Sequence, residues 1–147
     1  MAMYQFSFEP LLNHRKAIEE QLQKELAALQ KLLRDQQEDF FRCRDAKTRM
    51  LHEFQERQRQ DTTVSEILVY VTFIDQISRR LETKEKGLGE TEMKIHEKRK
   101  DLVSALKNRK TLDTLKEKGL QAFNENTNRT EQEFMNEVAI NQFVRRL

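Results

Sequence analysis

Apolar residues recur along the first third of the chain in alternating steps of four and three. Over residues 22–54, eight of the ten positions in this series are apolar: Leu22, Leu26, Leu29, Leu33, Gln36, Phe40, Cys43, Lys47, Met50 and Phe54. A 3.5-residue repeat places these side chains in one stripe that faces a partner helix. The pattern predicts a coiled-coil helix over about residues 10–59. Pro10 suits its start, because first-turn N–H groups lack helical partners.

A second heptad series follows a predicted turn at about residues 60–63. Thr63 and Glu66 have the spacing of a capping box, so the second helix is expected to begin at about residue 64. Its stripe consists of Ile67, Ile74, Leu81, Leu88, Ile95 and Leu102, with Tyr70, Ile77, Lys84, Thr91, Lys98, Ala105 and Leu112 as companions. The polar companions lie close to Gly87 and Gly89. The middle of this seam, the contact surface between the two stripes, is therefore expected to be its least stable part.

The pattern is less regular towards the end of the chain. The apolar stripe is expected to continue through Leu112, Leu115, Leu120 and Phe123. Residues 124–128 are rich in asparagine, and Thr130 with Glu133 repeats the capping-box spacing. Two outcomes stay open: a break followed by a short C-terminal helix, or one helix that continues to the end.

Together these patterns predict an all-α fold, a long antiparallel two-helix coiled-coil hairpin to which a short C-terminal helix could be added. The expected single domain spans residues 1–147, with helices at about 10–59 and 64–124 and a C-terminal extension at about 125–147. Two helices with complementary stripes and a short connection fold back on each other. Residues 10–59 are expected to pair with about 64–113, and the remainder to overhang or to pack on the first residues.

Composition narrows the function classes. Charged residues make up 35% of the chain and hydrophobic residues 37%, as in long helices. The 27 basic and 25 acidic residues are interspersed, which argues against nucleic acid as a partner. A lone cysteine, Cys43, allows no intramolecular disulfide and suits a reducing compartment. No stretch reads as a signal peptide or reaches the about 20 apolar residues of a membrane span, so we expect a cytoplasmic protein without membrane insertion.

Residues that could support catalysis are scattered. His14, His52 and His96 lie far apart in sequence, and none has metal-ligand spacing to a cysteine. The chain lacks the glycine-rich phosphate-binding and nucleophile motifs, and a two-helix fold offers no pocket in which to shift a carboxylate pKa. The sequence therefore predicts a protein that is not an enzyme and uses no cofactor or metal.

Two regions carry apolar or aromatic residues beyond the predicted seams. Leu68, Val69, Val71 and Phe73 fall partly outside the seam of the second helix, which predicts a docking surface unless they cover the end of the first helix or belong to a looser three-helix packing. Phe73, Ile77, Arg80 and Lys84 follow one flank at helical spacing. The chain ends carry Tyr4, Phe6, Phe8, Phe134 and Phe143 with Arg145 and Arg146. These either pack one terminus on the other or form a tip that enters a receptor.

The two ends also carry a family resemblance. The opening from Tyr4 to Arg15, with alternating aromatics, Glu9, a leucine pair and Arg15, resembles the start of the flagellar export protein FliJ family. The ending, with residues 131–133, Asn136-Glu137 and residues 143–146, is similar to that of the family. This chain has His14 where the family often has leucine, and Asn136 where aspartate is common.

This resemblance implies a coiled-coil stalk of the bacterial flagellar type III export apparatus. It implies binding to the hexameric export ATPase, to the cytoplasmic region of the export gate membrane protein and to export chaperones, at the cytoplasmic side of the cell membrane. The implied ATPase-binding residues are Phe6, Phe8, Arg15, Phe143, Arg145 and Arg146. The implied gate-binding residues are Phe73, Ile77, Arg80 and Lys84. A monomer is expected. The alternatives are the stalk of a virulence type III secretion system and a structural coiled-coil scaffold.

Overall fold

The computed structural model describes residues 3–147, of which 92% are helical. Helix α1 spans Glu9–Gln58 and helix α2 spans Val64–Arg146. Pro10 lies in the first turn of α1, as predicted. The Thr63 hydroxyl accepts a hydrogen bond from the Glu66 backbone N–H at 3.3 Å, so Thr63 caps α2. The all-α prediction and the start of the second helix are therefore confirmed.

The described chain divides into two units, which share both helices. The central unit is Leu22–Asp101, and the terminal unit is the chain up to Gln21 together with Leu102–Leu147. In the central unit, contacts between α1 and α2 join Glu25 to Lys98, Gln36 to Thr91, Asp39 to Lys84, Cys43 to Ile77 and Phe54 to Tyr70. Partner numbers fall as α1 numbers rise, so the two segments are antiparallel in the predicted register.

Burial in the central unit follows the two predicted stripes. All ten α1 positions from Leu22 to Phe54 are at least partly shielded from solvent, and so are the α2 positions from Ile67 to Lys98. Ile77 and Ile95 are buried, at 6% and 5% exposure. The heptad prediction is confirmed because each stripe covers the other.

The polar residues of the α2 seam each meet a polar residue of α1. The Thr91 hydroxyl donates to Gln36 Oε1 at 2.7 Å, and Lys98 Nζ lies 2.7 Å from Glu25 Oε2. Lys84 forms a longer ion pair with Asp39, at 3.8 Å. The hydrogen bond to Glu25 raises the pKa of Lys98 above its ordinary value, against an opposing contribution from desolvation. These pairs satisfy polar groups that would otherwise oppose closure of the seam.

The terminal unit is built around Leu12, whose side chain is fully buried. Arg109 of α2 bonds to Glu19 of α1 and to Asp113, and these hydrogen bonds raise the pKa of Arg109. Lys116 Nζ lies 2.9 Å from Glu9 Oε2. This segment pairing is antiparallel as well.

One expectation for the later part of α2 is wrong, the placement of Leu115 and Leu120 in the seam. Leu115 and Leu120 are 48% and 43% exposed. The partly buried positions are instead 109, 112, 116, 119 and 123, which continue the alternating steps of three and four from Ala105. The heptad frame is kept although it places Lys116 and Gly119 in the seam. Leu115 and Leu120 fall beside that frame, where they stay nearly half exposed.

Of the two outcomes left open for the end of the chain, a break followed by a separate helix is not observed, since α2 continues to Arg146. The Thr130 hydroxyl does not cap a new helix; it donates to the Asn126 carbonyl oxygen at 2.9 Å within the continuing helix. Asparagine and threonine disfavour a helix by less than about 1 kcal/mol each, and the segment contains neither proline nor glycine to force a break. The open alternative of one continuous helix is the observed one.

Candidate functional site

A groove in the central unit collects the four residues that the family resemblance assigns to the gate. We call it the basic groove; its volume is about 740 Å³. It is lined by Arg42, Cys43 and Ala46 of α1 and by Phe73, Ile77, Arg79, Arg80, Thr83 and Lys84 of α2. The structure thus brings Phe73, Ile77, Arg80 and Lys84 to one concave surface.

The four residues have different exposures in the basic groove. Ile77 is also a seam residue, so it is buried and forms the floor. Phe73 lies one position beside the seam and is 42% exposed. Arg80 is exposed, and the partly exposed Lys84 is shared between the groove and its ion pair with Asp39. The groove therefore offers an apolar floor beneath cationic walls.

The α1 wall of the basic groove was missed by sequence reasoning. Arg42, Cys43 and Ala46 face Phe73 and Ile77 because of the antiparallel register, and the Cys43 thiol lies 4.0 Å from the Ile77 carbonyl oxygen. The sequence does carry a signal for this wall, because the predicted pairing of residues 10–59 with 64–113 puts residues 42–46 opposite about 77–81.

The start of α2 carries a second exposed apolar surface. Val64, Leu68, Val69 and Val71 are 49–74% exposed. Val69 and Phe73 contribute to a cleft of about 360 Å³ beside Met50 of α1. The prediction that Leu68, Val69, Val71 and Phe73 lie outside the seam is confirmed by their exposure.

Among the N-terminal aromatics, Tyr4 packs on α2 of the terminal unit. The Tyr4 ring centroid is 5.7 Å from that of Phe123, and the Tyr4 hydroxyl lies over Gly119, where a Cβ would overlap it. Phe6 and Phe8 pack edge to face at 5.9 Å, and Phe8 is 51% exposed. Arg15 is partly exposed.

The end of α2 has no covering segment within the described residues. Every residue from 128 to 147 is exposed, including Phe143, Arg145 and Arg146. Phe143 follows Phe123 by 20 residues, which corresponds to roughly 30 Å of helix. The aromatics of the two chain ends are therefore not brought together; Tyr4 packs much earlier on α2.

The exposed apolar residues at this end are spread around the helix. They are Phe134, Met135, Val138, Ile140, Phe143, Val144 and Leu147, with exposures of 36–91%. At about 100° per residue they are spread around the helix with two gaps of about 80°, one of which holds Glu137 and Asn141. A helix that is apolar on most sides is suited to a partner that surrounds it, whereas a single stripe suits one groove.

Two further findings concern membranes and metals. Neither helix, over residues 3–147, contains an apolar stretch long enough to cross a bilayer. Within the same described part of the chain, no three histidine, cysteine or carboxylate side chains are grouped so that they could hold a metal ion.

The whole sequence was compared with protein families, curated proteins and solved structures. Neither a curated protein nor a solved structure matches the chain. A family model described as flagellar FliJ protein matches residues 4–147, which is nearly the whole chain. The match includes both ends and the basic groove. The chain therefore belongs to the flagellar FliJ protein family, whose members are components of the flagellar protein export apparatus.

Proposed function

We propose that this chain is a non-enzymatic stalk and adaptor of the flagellar type III export apparatus. In this proposal the end of α2 enters the ring of the hexameric export ATPase and promotes its assembly. The basic groove binds the cytoplasmic region of the export gate, which couples the two, and export chaperones bind the same protein. The site of action is the cytoplasmic side of the cell membrane at the flagellar base.

The observation that carries the proposal is the exposed end of α2. Apolar side chains point in most directions from residues 134–147, and Arg145 and Arg146 add charge beside Phe143. A ring that encloses a helix contacts it from all sides, so this distribution supports insertion into a central opening. Aromatic and arginine side chains are also favoured anchors of protein interfaces.

Dimensions and symmetry are compatible with this role. The uncovered end of α2 is a single helix about 10–12 Å across with its side chains, and two helices packed side by side are roughly 20 Å across. A single chain inside a six-membered ring cannot contact six identical subunits in the same way. In the proposal it therefore favours one subunit conformation at a time, which is how a stalk would influence ATP hydrolysis without reacting itself.

The covered seams support a monomeric adaptor. In each unit the heptad stripe of α1 is covered by that of α2, which removes the free seam that a scaffold dimer would use. Light scattering is expected to report a monomer at all concentrations tested. A concentration-dependent dimer would favour a structural scaffold.

The ATPase contact is tested with a matched pair of variants. Phe143→Ala removes an exposed aromatic from the end of α2, and Phe41→Ala removes one that is 47% exposed on the central unit. We expect Phe143→Ala to raise the chain concentration that half-stimulates the purified export ATPase by about tenfold or more, as for an interface anchor. Phe41→Ala is expected to behave as the unaltered chain. Unchanged stimulation by Phe143→Ala would contradict the stalk role.

A further inference from the structure

The basic groove is cationic although the chain as a whole is nearly neutral. Four of its lining residues are cations, namely Arg42, Arg79, Arg80 and Lys84, and none of the described residues that line it is a carboxylate. The whole chain has 27 basic and 25 acidic residues. The groove therefore concentrates positive charge that the composition does not reveal.

Three carboxylates outside the lining of the basic groove offset part of its positive charge. Three of the four cations form exposed ion pairs at 3.2–3.8 Å: Arg42 with Glu38, Arg79 with Asp75 and Lys84 with Asp39. Exposed pairs of this kind are weak and screened by solvent, so an incoming carboxylate can replace the present partner. Arg80 has no ion pair within the described chain.

The floor of the basic groove adds an apolar requirement. Phe73 is 42% exposed there, and Ala46 and the buried Ile77 lie beside it. Cations alone would attract any anion. An exposed aromatic ring over an aliphatic floor gains stability only when an apolar side chain covers it.

A second groove in the central unit provides a comparison. This neutral groove, of about 560 Å³, also has an apolar floor, with Leu32 44% exposed. Its charged lining residues have both signs: Lys94 and Lys98 with Glu25, Glu97 and Asp101. An apolar floor is thus common to both grooves, whereas the one-sided charge distinguishes the basic groove.

We infer that the basic groove binds an acidic, apolar protein segment, one that places a large apolar side chain on Phe73 and carboxylates against Arg42, Arg80 and Lys84. The inference rests on the proposed function, in which this surface binds the export gate, and it names the chemistry of the gate segment. Complementary charge at the edge of an interface accelerates association and suppresses wrong partners.

The first experiment measures binding of the purified cytoplasmic region of the gate to the full chain at low and at high ionic strength. The test variant reverses two groove cations, Arg42→Glu with Arg80→Glu. The matched control reverses two exposed lysines elsewhere in the central unit, Lys31→Glu with Lys94→Glu, and changes the net charge equally. Circular dichroism checks that both variants stay helical.

We expect the groove variant to raise the Kd for the gate by about tenfold or more and to lose most of its salt dependence. The control is expected to stay within about twofold of the unaltered chain. A third variant, Phe73→Ala, tests gate binding itself. If Phe73→Ala abolishes binding while the charge reversal changes neither the Kd nor its salt dependence, the inference is overturned and the gate assignment stands.

The second experiment uses labelled peptides of equal length and needs no gate protein. One peptide combines acidic and apolar residues, one replaces the acidic residues by lysine, and one replaces the apolar residues by serine. We expect only the first to bind, and only when Phe73, Arg42 and Arg80 are intact. That result without gate binding would retain the inference and refute the gate assignment. Equal binding of the serine peptide or of a single-stranded DNA would overturn the inference, because the groove would then take any polyanion.

Discussion

Replacement of Thr91 by valine removes one hydroxyl from the seam of the central unit and leaves the side-chain volume nearly unchanged. Thr91 is 3% exposed, and its hydroxyl donates to Gln36 Oε1 at 2.7 Å. The same hydroxyl oxygen lies 3.0 Å from the Gly87 carbonyl oxygen. The substitution therefore leaves the Gln36 side chain in a partly buried site without its hydrogen-bond donor.

The expected loss follows from the desolvation of that unpaired group. A buried polar group left without a partner costs about 1–3 kcal/mol. Gln36 is only partly buried and can turn towards water, so we expect Thr91→Val to lower the free energy of unfolding by about 1 kcal/mol. Gln36→Leu with Thr91→Val removes both polar groups, and this double variant is expected to be at least as stable as the unaltered chain.

Urea denaturation followed by circular dichroism measures these differences. Thr83→Val is the matched control, because the Thr83 hydroxyl also donates to the carbonyl oxygen four residues earlier but is exposed. The control is expected to stay within about 0.5 kcal/mol of the unaltered chain. If the double variant instead loses the sum of the two single losses, Gln36 and Thr91 do not depend on each other, and the hydrogen bond across the seam is refuted.

Glycine substitutions and alkaline pH give further tests. Gly89→Ala is expected to add about 1 kcal/mol of stability, because its Cβ meets no atom within 4 Å. Gly119→Ala is expected to gain less, since its Cβ would displace Tyr4; equal gains in urea denaturation would contradict that contact. The pKa of Lys98 is raised, first by its hydrogen bond to Glu25. The stability that the charged Lys98 adds through this pair is therefore complete below the ordinary pKa of 10.5, and it declines as pH rises through the higher folded-state pKa. Lys98→Met is expected to remove that decline when urea titrations at about pH 9 and about pH 12 are compared, and an unchanged decline would count against the pair.

The basic groove could be predicted in part. The spacing of Phe73, Ile77, Arg80 and Lys84 placed them on one flank of α2, and the structure brings all four to one groove. The opposite wall needed the register to be applied to α1 residues that lie beside the stripe. Side chains in such flanking positions carry no periodic signal, so their shared surface emerges only when two helices are packed.

In the later part of α2, the pattern of apolar residues predicts the wrong seam positions. Leu115 and Leu120 were assigned to the seam because they are apolar, yet the heptad frame continues through Lys116 and Gly119. The heptad frame is fixed by many residue pairs between α1 and α2, so two leucines outside it do not change which residues face α1. Gly119 has no side chain, which leaves room for the Tyr4 ring. A break at residues 124–128 is favoured by propensity alone, and weak propensities do not interrupt a helix that lacks proline and glycine there.

The sequence by itself determined where both helices begin and their seams as far as about Ala105, because a 3.5-residue repeat, Pro10 and Thr63 act within one helix or its first turn. It also determined the antiparallel register, since a short turn between two matched stripes leaves one way to cover both. Only the tertiary structure decided which polar residues meet across the seam and which cations share a groove. Those outcomes depend on distances between side chains far apart in the chain, and only packing sets such distances.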